Sequence, residues 1–323
     1  MRRPTSEIYF QKYNRKALIV QGFFNFHKLL TNILEKLLFL NDFKLKIITM
    51  KKLIISSLAM AVIASCSSSN DDSSDNNNDN NSNNTPYLLK KLTETTQDGQ
   101  TYTLEFKYNG DKIVESYSST DNEKTVYTYN GDDIIKTEEY KGATMRQMRE
   151  FTYTNGKVSA EKVTRKDNGT LVYTKNYQYL SNTHVKFNEY KGSTYSPSTG
   201  THSNIQFADV DAYLTNSGNI ASTSYTYNGT TYNAANTYDN SNHPMKNVKG
   251  YIKIDLFYLG DGELAYNNLI SRSENYSGTV SGNNKSNADH TFNNSAYPTK
   301  TVMKYTSSSF GINTHTYIYE YNK

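Results

Sequence analysis

Residues 101–115 read TYTLEFKYNGDKIVE. Leu104, Phe106 and Tyr108 alternate with Thr103, Glu105 and Lys107. Successive side chains of an extended chain point to opposite faces, so a period of two buries one face and wets the other. Asn109-Gly110 then interrupts the run. Asn and Gly both tolerate positive φ, and the pair between two alternating runs is the strongest short hairpin signal. Ile113-Val114 resumes the apolar pattern beyond it. The stretch therefore predicts two antiparallel strands joined by a tight turn.

The unit recurs. Tyr129-Asn130-Gly131 and Tyr227-Asn228-Gly229 repeat it, Tyr153-Thr154-Asn155-Gly156 is a looser copy, and Tyr179-Leu180-Ser181-Asn182 is a degenerate one. Tyr108, Tyr129, Tyr153 and Tyr179 are spaced by 21, 24 and 26 residues. Ile134-Ile135 and Val158 follow two of the turns, and Tyr317, Tyr319 and Tyr321 alternate with Ile318 and Glu320 at the C-terminal end. Two strands per copy, in chain order, predict an all-β antiparallel meander over residues 86–323. Such a meander forms either a curved open sheet or a barrel, and the pattern alone does not choose between them. The pattern weakens after about residue 190. Residues 191–204 read as a long Gly/Ser/Thr-rich loop, and residues 205–220 as a strand or short helix. Residues 251–259 read as a buried strand or short helix after a turn at Asn242-His243-Pro244, and residues 277–289 as a polar loop. Pro86, Pro197, Pro244 and Pro298 fall at predicted loops or strand boundaries.

Composition agrees with strands. There are 29 Tyr and no Trp, with Thr and Asn plentiful beyond residue 90. The net charge of +4 hides a split. Residues 1–49 carry nine Lys/Arg against three acids, whereas the chain beyond residue 65 holds 24 basic and 28 acidic residues. The folding part is slightly acidic, so it lacks the basic stripe that neutralises phosphates, and no nucleic-acid partner is expected. The single cysteine, Cys66, rules out an internal disulfide.

Localisation is read from Met50. Lys51-Lys52 are followed by a short apolar run from Leu53 to Ala64, then Ile63-Ala64-Ser65-Cys66. A positive start, a short apolar core and small residues before a cut mark a secretory signal peptide over residues 50–65. The run falls short of the roughly 20 apolar residues that span a bilayer. Ile63, Ala64 and Ser65 before Cys66 resemble a lipoprotein box. That resemblance implies diacylglycerol on the Cys66 thiol and acylation of its amine. Each buried CH₂ contributes about 0.8 kcal/mol, so two or three chains anchor stably. The complete signal at Met50 makes residues 1–49 an upstream extension, with translation expected to start at Met50.

Residues 66–85 comprise Cys66 and a tether, SSSNDDSSDNNNDNNSNNT, without one basic or apolar residue. A segment of this kind cannot bury enough surface to offset its entropy and is expected to be disordered, spanning roughly 25 Å as a coil and up to about 70 Å extended. Asp71-Asp72 resembles the acidic surface-export signal of Bacteroidota lipoproteins, which implies display on the cell exterior. The hairpins resemble YD repeats of rearrangement-hotspot proteins, without their Tyr-Asp start and Gly-Arg step. From Met50 onward the chain is more similar to Bacteroidota lipoproteins with a porin-like-fold domain of unknown function. Tyr238-Asp239 and His243-Pro244-Met245-Lys246-Asn247 match that group's loop before an apolar segment. This resemblance implies a curved antiparallel sheet or barrel, and no established activity.

No catalytic set stands out. His27, His184, His202, His243, His290 and His315 show no metal-ligand spacing. Asp209/Asp211 and Asp261/Glu263 could pair carboxylates for Ca²⁺ or glycoside hydrolysis, although Gly260 and Gly262 mark the second pair as a turn. Ser277 to Gly282 lacks the spacing of a nucleophile elbow. Tyr rows on a sheet stabilise cross-strand packing or stack on sugars and peptides, and their presence in every strand favours packing. A true outer-membrane pore is disfavoured, because the positions opposite the apolar face are Thr, Glu, Lys and Gln. The expectation is an outer-membrane, surface-exposed lipoprotein with no cofactor. Its β-domain would bind an extracellular glycan or protein or serve the envelope structurally. The alternatives are a glycan-active enzyme using one of the carboxylate pairs and an accessory of envelope assembly or transport.

Overall fold

The computed structural model describes residues 86–257, 265–309 and 311–323. The predicted extension, signal peptide, lipoprotein box, Cys66, tether and Asp71-Asp72 lie outside these residues, as do Asp261 and Glu263. Sixteen strands run in chain order, each paired antiparallel with the next: β1 (Leu89–Thr95), β2 (Thr101–Asn109), β3 (Lys112–Ser118), β4 (Glu123–Asn130), β5 (Asp133–Lys141), β6 (Thr144–Thr154), β7 (Lys157–Arg165), β8 (Leu171–Tyr179), β9 (His184–Ser196), β10 (Thr201–Leu214), β11 (Ile220–Tyr227), β12 (Thr230–Tyr238), β13 (Leu269–Gly278), β14 (Gly282–Phe292), β15 (Pro298–Ser307) and β16 (Gly311–Tyr321). β1 also pairs with β16, through Leu92↔Tyr319 and Glu94↔Tyr317, so the meander closes into a barrel. Closure leaves no exposed sheet edge.

Two predicted loops are strands. Residues 191–204 form the turn end of the β9–β10 hairpin, with Thr201 opposite Ser196 and Ser203 opposite Thr194. Residues 277–289 lie mostly in β13 and β14, with Asn275 opposite Asn283. Neighbouring strands supply the backbone partners there, so Ser, Thr, Gly and Asn need no strong propensity of their own. Two of the Asn-Gly turns also differ from expectation. Asn155-Gly156 and Asn228-Gly229 carry positive φ at both residues. Asn109 and Asn130 instead pair across the ladder with Lys112 and Asp133, and only Gly110 and Gly131 are left-handed. Those turns centre on Gly-Asp, the glycine-first kind of two-residue hairpin.

The recurring Tyr has a repeated structural task. Near the end of β2, Tyr108 Oη donates to the Leu89 carbonyl at the start of β1 (2.7 Å). Tyr153 of β6 does the same to Ile134 of β5 (2.6 Å), Tyr238 of β12 to Ile220 of β11 (2.9 Å), and Tyr321 of β16 to Pro298 of β15 (2.8 Å). Tyr129 of β4 accepts from the Ile113 amide of β3 (3.1 Å). Each phenol ties down backbone near a strand end, and its ring packs on the core.

That end of the barrel is stopped by the β12–β13 connection. Residues 251–257 supply the helix α1 (Tyr251–Asp255) and the buried Leu256 and Phe257. Tyr251, Ile252 and Ile254 are buried with Met245 and Val248 against Phe106, Ile113, Tyr127, Ile134, Phe151, Tyr177 and Phe187. Phe257 lies 5.2 Å from the Tyr177 ring and 5.5 Å from Phe187. Gly250 enters α1 with φ 69°, and a Cβ there would stand 2.8 Å from the Asp132 carbonyl oxygen. Glycine is therefore what lets the plug approach the β4–β5 turn. Lys249 pairs with Asp132 (3.1 Å) and Lys253 with Asp133 (2.7 Å), which fastens the plug to the same turn.

Candidate functional site

The barrel interior carries charge as well as apolar surface. Alternation in β6 to β9 sends Arg149, Glu161, Lys175, Tyr177 and Glu189 to the buried face. Arg149 is the centre. Its Nε donates to Glu161 Oε1 (2.7 Å), its Nη1 to Asp255 Oδ1 (2.6 Å) and its Nη2 to the Ile254 carbonyl (2.9 Å). Tyr177 Oη donates to Glu161 Oε2 (3.0 Å), and Lys175 Nζ reaches Glu189 Oε2 (2.7 Å). Burial opposes the charge on Arg149, but Asp255 and Glu161 outweigh it and hold the guanidinium protonated. Burial likewise opposes ionisation of Glu161, and Arg149 and Lys175 overcome it and lower its pKa. The network spends its hydrogen bonds on the wall and on the plug, so its work is to seat α1.

The histidines are engaged singly. His202 Nε2 donates to the Asn168 carbonyl (2.7 Å), which leaves Nδ1 to accept from Ser193 (2.8 Å). His290 Nε2 donates to the Leu269 carbonyl (2.8 Å), so its Nδ1 accepts from Thr301 (2.8 Å). His315 Nδ1 meets Glu94, and His243 Nδ1 accepts from the Met245 amide (3.2 Å). Among the described residues no three His, Cys, Asp or Glu gather as a metal site would require.

Asp209 and Asp211 alternate on the outer wall of β10, as a strand requires. Asp211 accepts from His184 Nε2 (2.8 Å) and lies 3.4 Å from Lys186 Nζ. The His184 hydrogen bond holds its pKa below the usual carboxylate range. An ionised, already paired carboxylate is poorly suited to deliver a proton.

A groove lies beside it. Cavity volume of about 310 Å³ runs over β10 to β13, lined by Tyr213, Ser222, Ser224, Asn233, Ser273 and Asn275 among others. The ladders explain its shape. Tyr213, Ser222, Ala235, Ser273 and Lys285 stand opposite one another in turn across five strands. Large side chains end this row and small ones fill its middle, which makes a trough. The next row is Asp211, Ser224, Asn233, Asn275 and Asn283. Neither row is legible as a site in the sequence, because single outward Ser and Asn look like any wetted strand face.

The remainder of the outer wall is polar. Thr103, Glu105, Lys107, Lys162, Thr174, Asn176, Lys285 and Lys304 are typical outward positions, and Lys91–Glu320 (2.9 Å) and Lys162–Glu150 (3.0 Å) pair on it. Exposed apolar residues such as Val114, Val172, Ile270 and Ile312 are scattered over both ends. Among the described residues there is no apolar band such as lipid-facing barrels present.

No protein-family model matches the chain, and no curated protein matches it. Among solved structures, it is similar to a porin-like protein from Bacteroides vulgatus ATCC 8482, at 15% identity over 73% of this chain and 99% of that one, with a TM-score of 0.46. A porin-like protein from Bacteroides uniformis ATCC 8492 matches at 12% identity over 74% and 98% of the two chains, with a TM-score of 0.37. A DUF3836 family protein from Parabacteroides distasonis ATCC 8503 matches at 23% identity over 27% and 87%, with a TM-score of 0.20.

Proposed function

We propose that this chain is a lipid-anchored, non-catalytic binding module that works outside the cytoplasm, held by Cys66 at the outer membrane and turned to the cell surface. The observation that carries the reading is a closed barrel whose outer wall is polar. A wall of Thr, Glu, Lys and Asn is stable in water and costly in hydrocarbon. Such a domain needs a separate device to stay at a membrane, and the lipoprotein box with its polar tether is that device. The plugged end and the side chains filling the interior favour binding over transport. The Asp71-Asp72 pair supports the outward orientation.

Replacing the thiol tests this directly. The Cys66→Ser protein is expected to leave the membrane fraction and appear soluble, whereas the wild type takes up labelled palmitate. Retention of Cys66→Ser in washed membranes, or a wild type that takes up no label, would contradict the reading.

A further inference from the structure

The trough on β10 to β13 has the chemistry of a sugar site. Tyr213 is 48% exposed, although its ring is not loose. It stacks on His184 at 4.4 Å between centroids and 11° between planes, and His184 is itself fixed by Asp211. A rigid aromatic face beside a wetted groove is a platform on which the apolar face of a pyranose can lie. Beyond it the floor offers hydroxyls and amides. Asn233 Oδ1 accepts from Ser224 Oγ (2.8 Å), and among the described residues its Nδ2 makes no hydrogen bond and can donate outward. Ser222, Ser273 and Asn275 make no side-chain hydrogen bond among the described residues. Strands lie about 4.8 Å apart, close to the length of one sugar ring, so successive rings would meet successive strands.

Charge and topology narrow the occupant. The residues lining the groove include no cation and no carboxylate, and the neighbouring Asp211 is already hydrogen-bonded to His184 and approached by Lys186. An anionic ligand would find one cation, Lys285, and that only at the far end of the row, with none along the floor. A peptide would normally add as a strand at a sheet edge, and the closed barrel has none. We infer that the outer groove formed by Tyr213, Ser222, Ser224, Asn233, Ser273 and Asn275 binds a neutral oligosaccharide across the strands, with Tyr213 as the stacking wall. This rests on the reading of the barrel as a binding module and names its ligand class.

The test is titration of the full chain with neutral gluco-, manno-, xylo- and galacto-oligosaccharides, followed by calorimetry. At least one series is expected to bind saturably. Tyr213→Ala should weaken that binding about tenfold or more, since stacking contributes on the order of a factor of ten. Tyr213→Phe should keep most of it, because the ring stays. Joint replacement Asn233→Ala with Asn275→Ala should weaken it further, and Val172→Ala on a distant part of the wall should leave it unchanged. Unaltered melting curves would show that the variants are folded. Failure of every neutral series, or binding indifferent to Tyr213→Ala, overturns the proposal. Binding only of acidic glycans or of a protein would also overturn it, while leaving the binding-module reading intact. Membrane release by Cys66→Ser reports on that reading separately.

Discussion

Arg149→Met is expected to destabilise the barrel by about 3–5 kcal/mol, the usual cost of stripping one partner from a buried ion network. Its side chain is 14% exposed, and it serves Glu161 and Asp255 at once. Without it, Glu161 keeps Tyr177 and a 4.0 Å approach from Lys175, but loses its strongest neighbour. Asp255 and the Ile254 carbonyl are left facing an apolar side chain. Both acceptors belong to α1, so the damage should concentrate in the plug. The urea midpoint should fall, and hydrogen exchange at Leu256, whose amide bonds the Ile252 carbonyl at 2.9 Å, should accelerate more than exchange in β14 or β15. Lowering the pH should narrow the gap, because protonation removes the orphaned charges. Arg149→Met combined with Glu161→Gln should recover part of the loss. An unchanged midpoint, or loss spread evenly over the barrel, would contradict the role given to the network.

Glu139→Gln should act in the opposite direction. Glu139 is buried, and burial raises its pKa to about 7 against the lowering influence of Arg149 and of the Gln147 amide, which donates at 2.8 Å. An acid whose pKa is raised on folding binds more protons folded than unfolded between about 4.5 and 7. Stability from this group is therefore greatest at low pH and is lost as the pH rises through that window. Well above pH 7 the cost approaches the full shift, on the order of 3 kcal/mol. Glutamine keeps a carbonyl for Gln147 and has no proton to lose. Thermal melts should show Glu139→Gln more stable than wild type at pH 8, with the advantage fading towards pH 4.5. A difference independent of pH would show that Glu139 does not titrate as described.

Much of the wall was legible because its local signals agree. Tyr108, Tyr129 and Tyr153 end strands on a period of two, and glycine turns follow them. The plug was visible as an apolar stretch after His243-Pro244, and residues 251–255 resolve its ambiguity as a helix. The β9–β10 and β13–β14 hairpins were hidden because Ser, Thr, Gly and Asn carry no strand signal until a neighbour supplies hydrogen bonds. Closure was hidden too, since Leu92 and Tyr319 meet only across the whole domain. The interior charges were the hardest to see. Lys175 shares the buried face with Tyr177 and Tyr179, yet a Lys in a strand ordinarily marks the wet face. Only the register that sets Phe151 opposite Glu161 and Glu161 opposite Lys175 brings the compensating partners together.

The groove shows the same limit from the outside. Tyr213 and Ser273 are 60 residues apart in the chain, and only the ladders through Ser222 and Ala235 put them in one trough. The Tyr clamps, by contrast, turn a compositional excess into a structural rule. Tyr108, Tyr129 and Tyr153, which repeat with the hairpins, hold strand ends, whereas Tyr213 lies outside that pattern, on the outer wall.

On the proposed function, this barrel lives in water and is carried at a membrane by lipid alone. Inserting a site-specific protease sequence between Ser67 and Thr85, then cutting washed membranes, tests it in one measurement. The claim predicts that the folded domain of residues 86–323 passes into the supernatant while the acylated stub stays behind. A cleaved domain that remains with the membrane, and needs detergent to leave it, would contradict the claim.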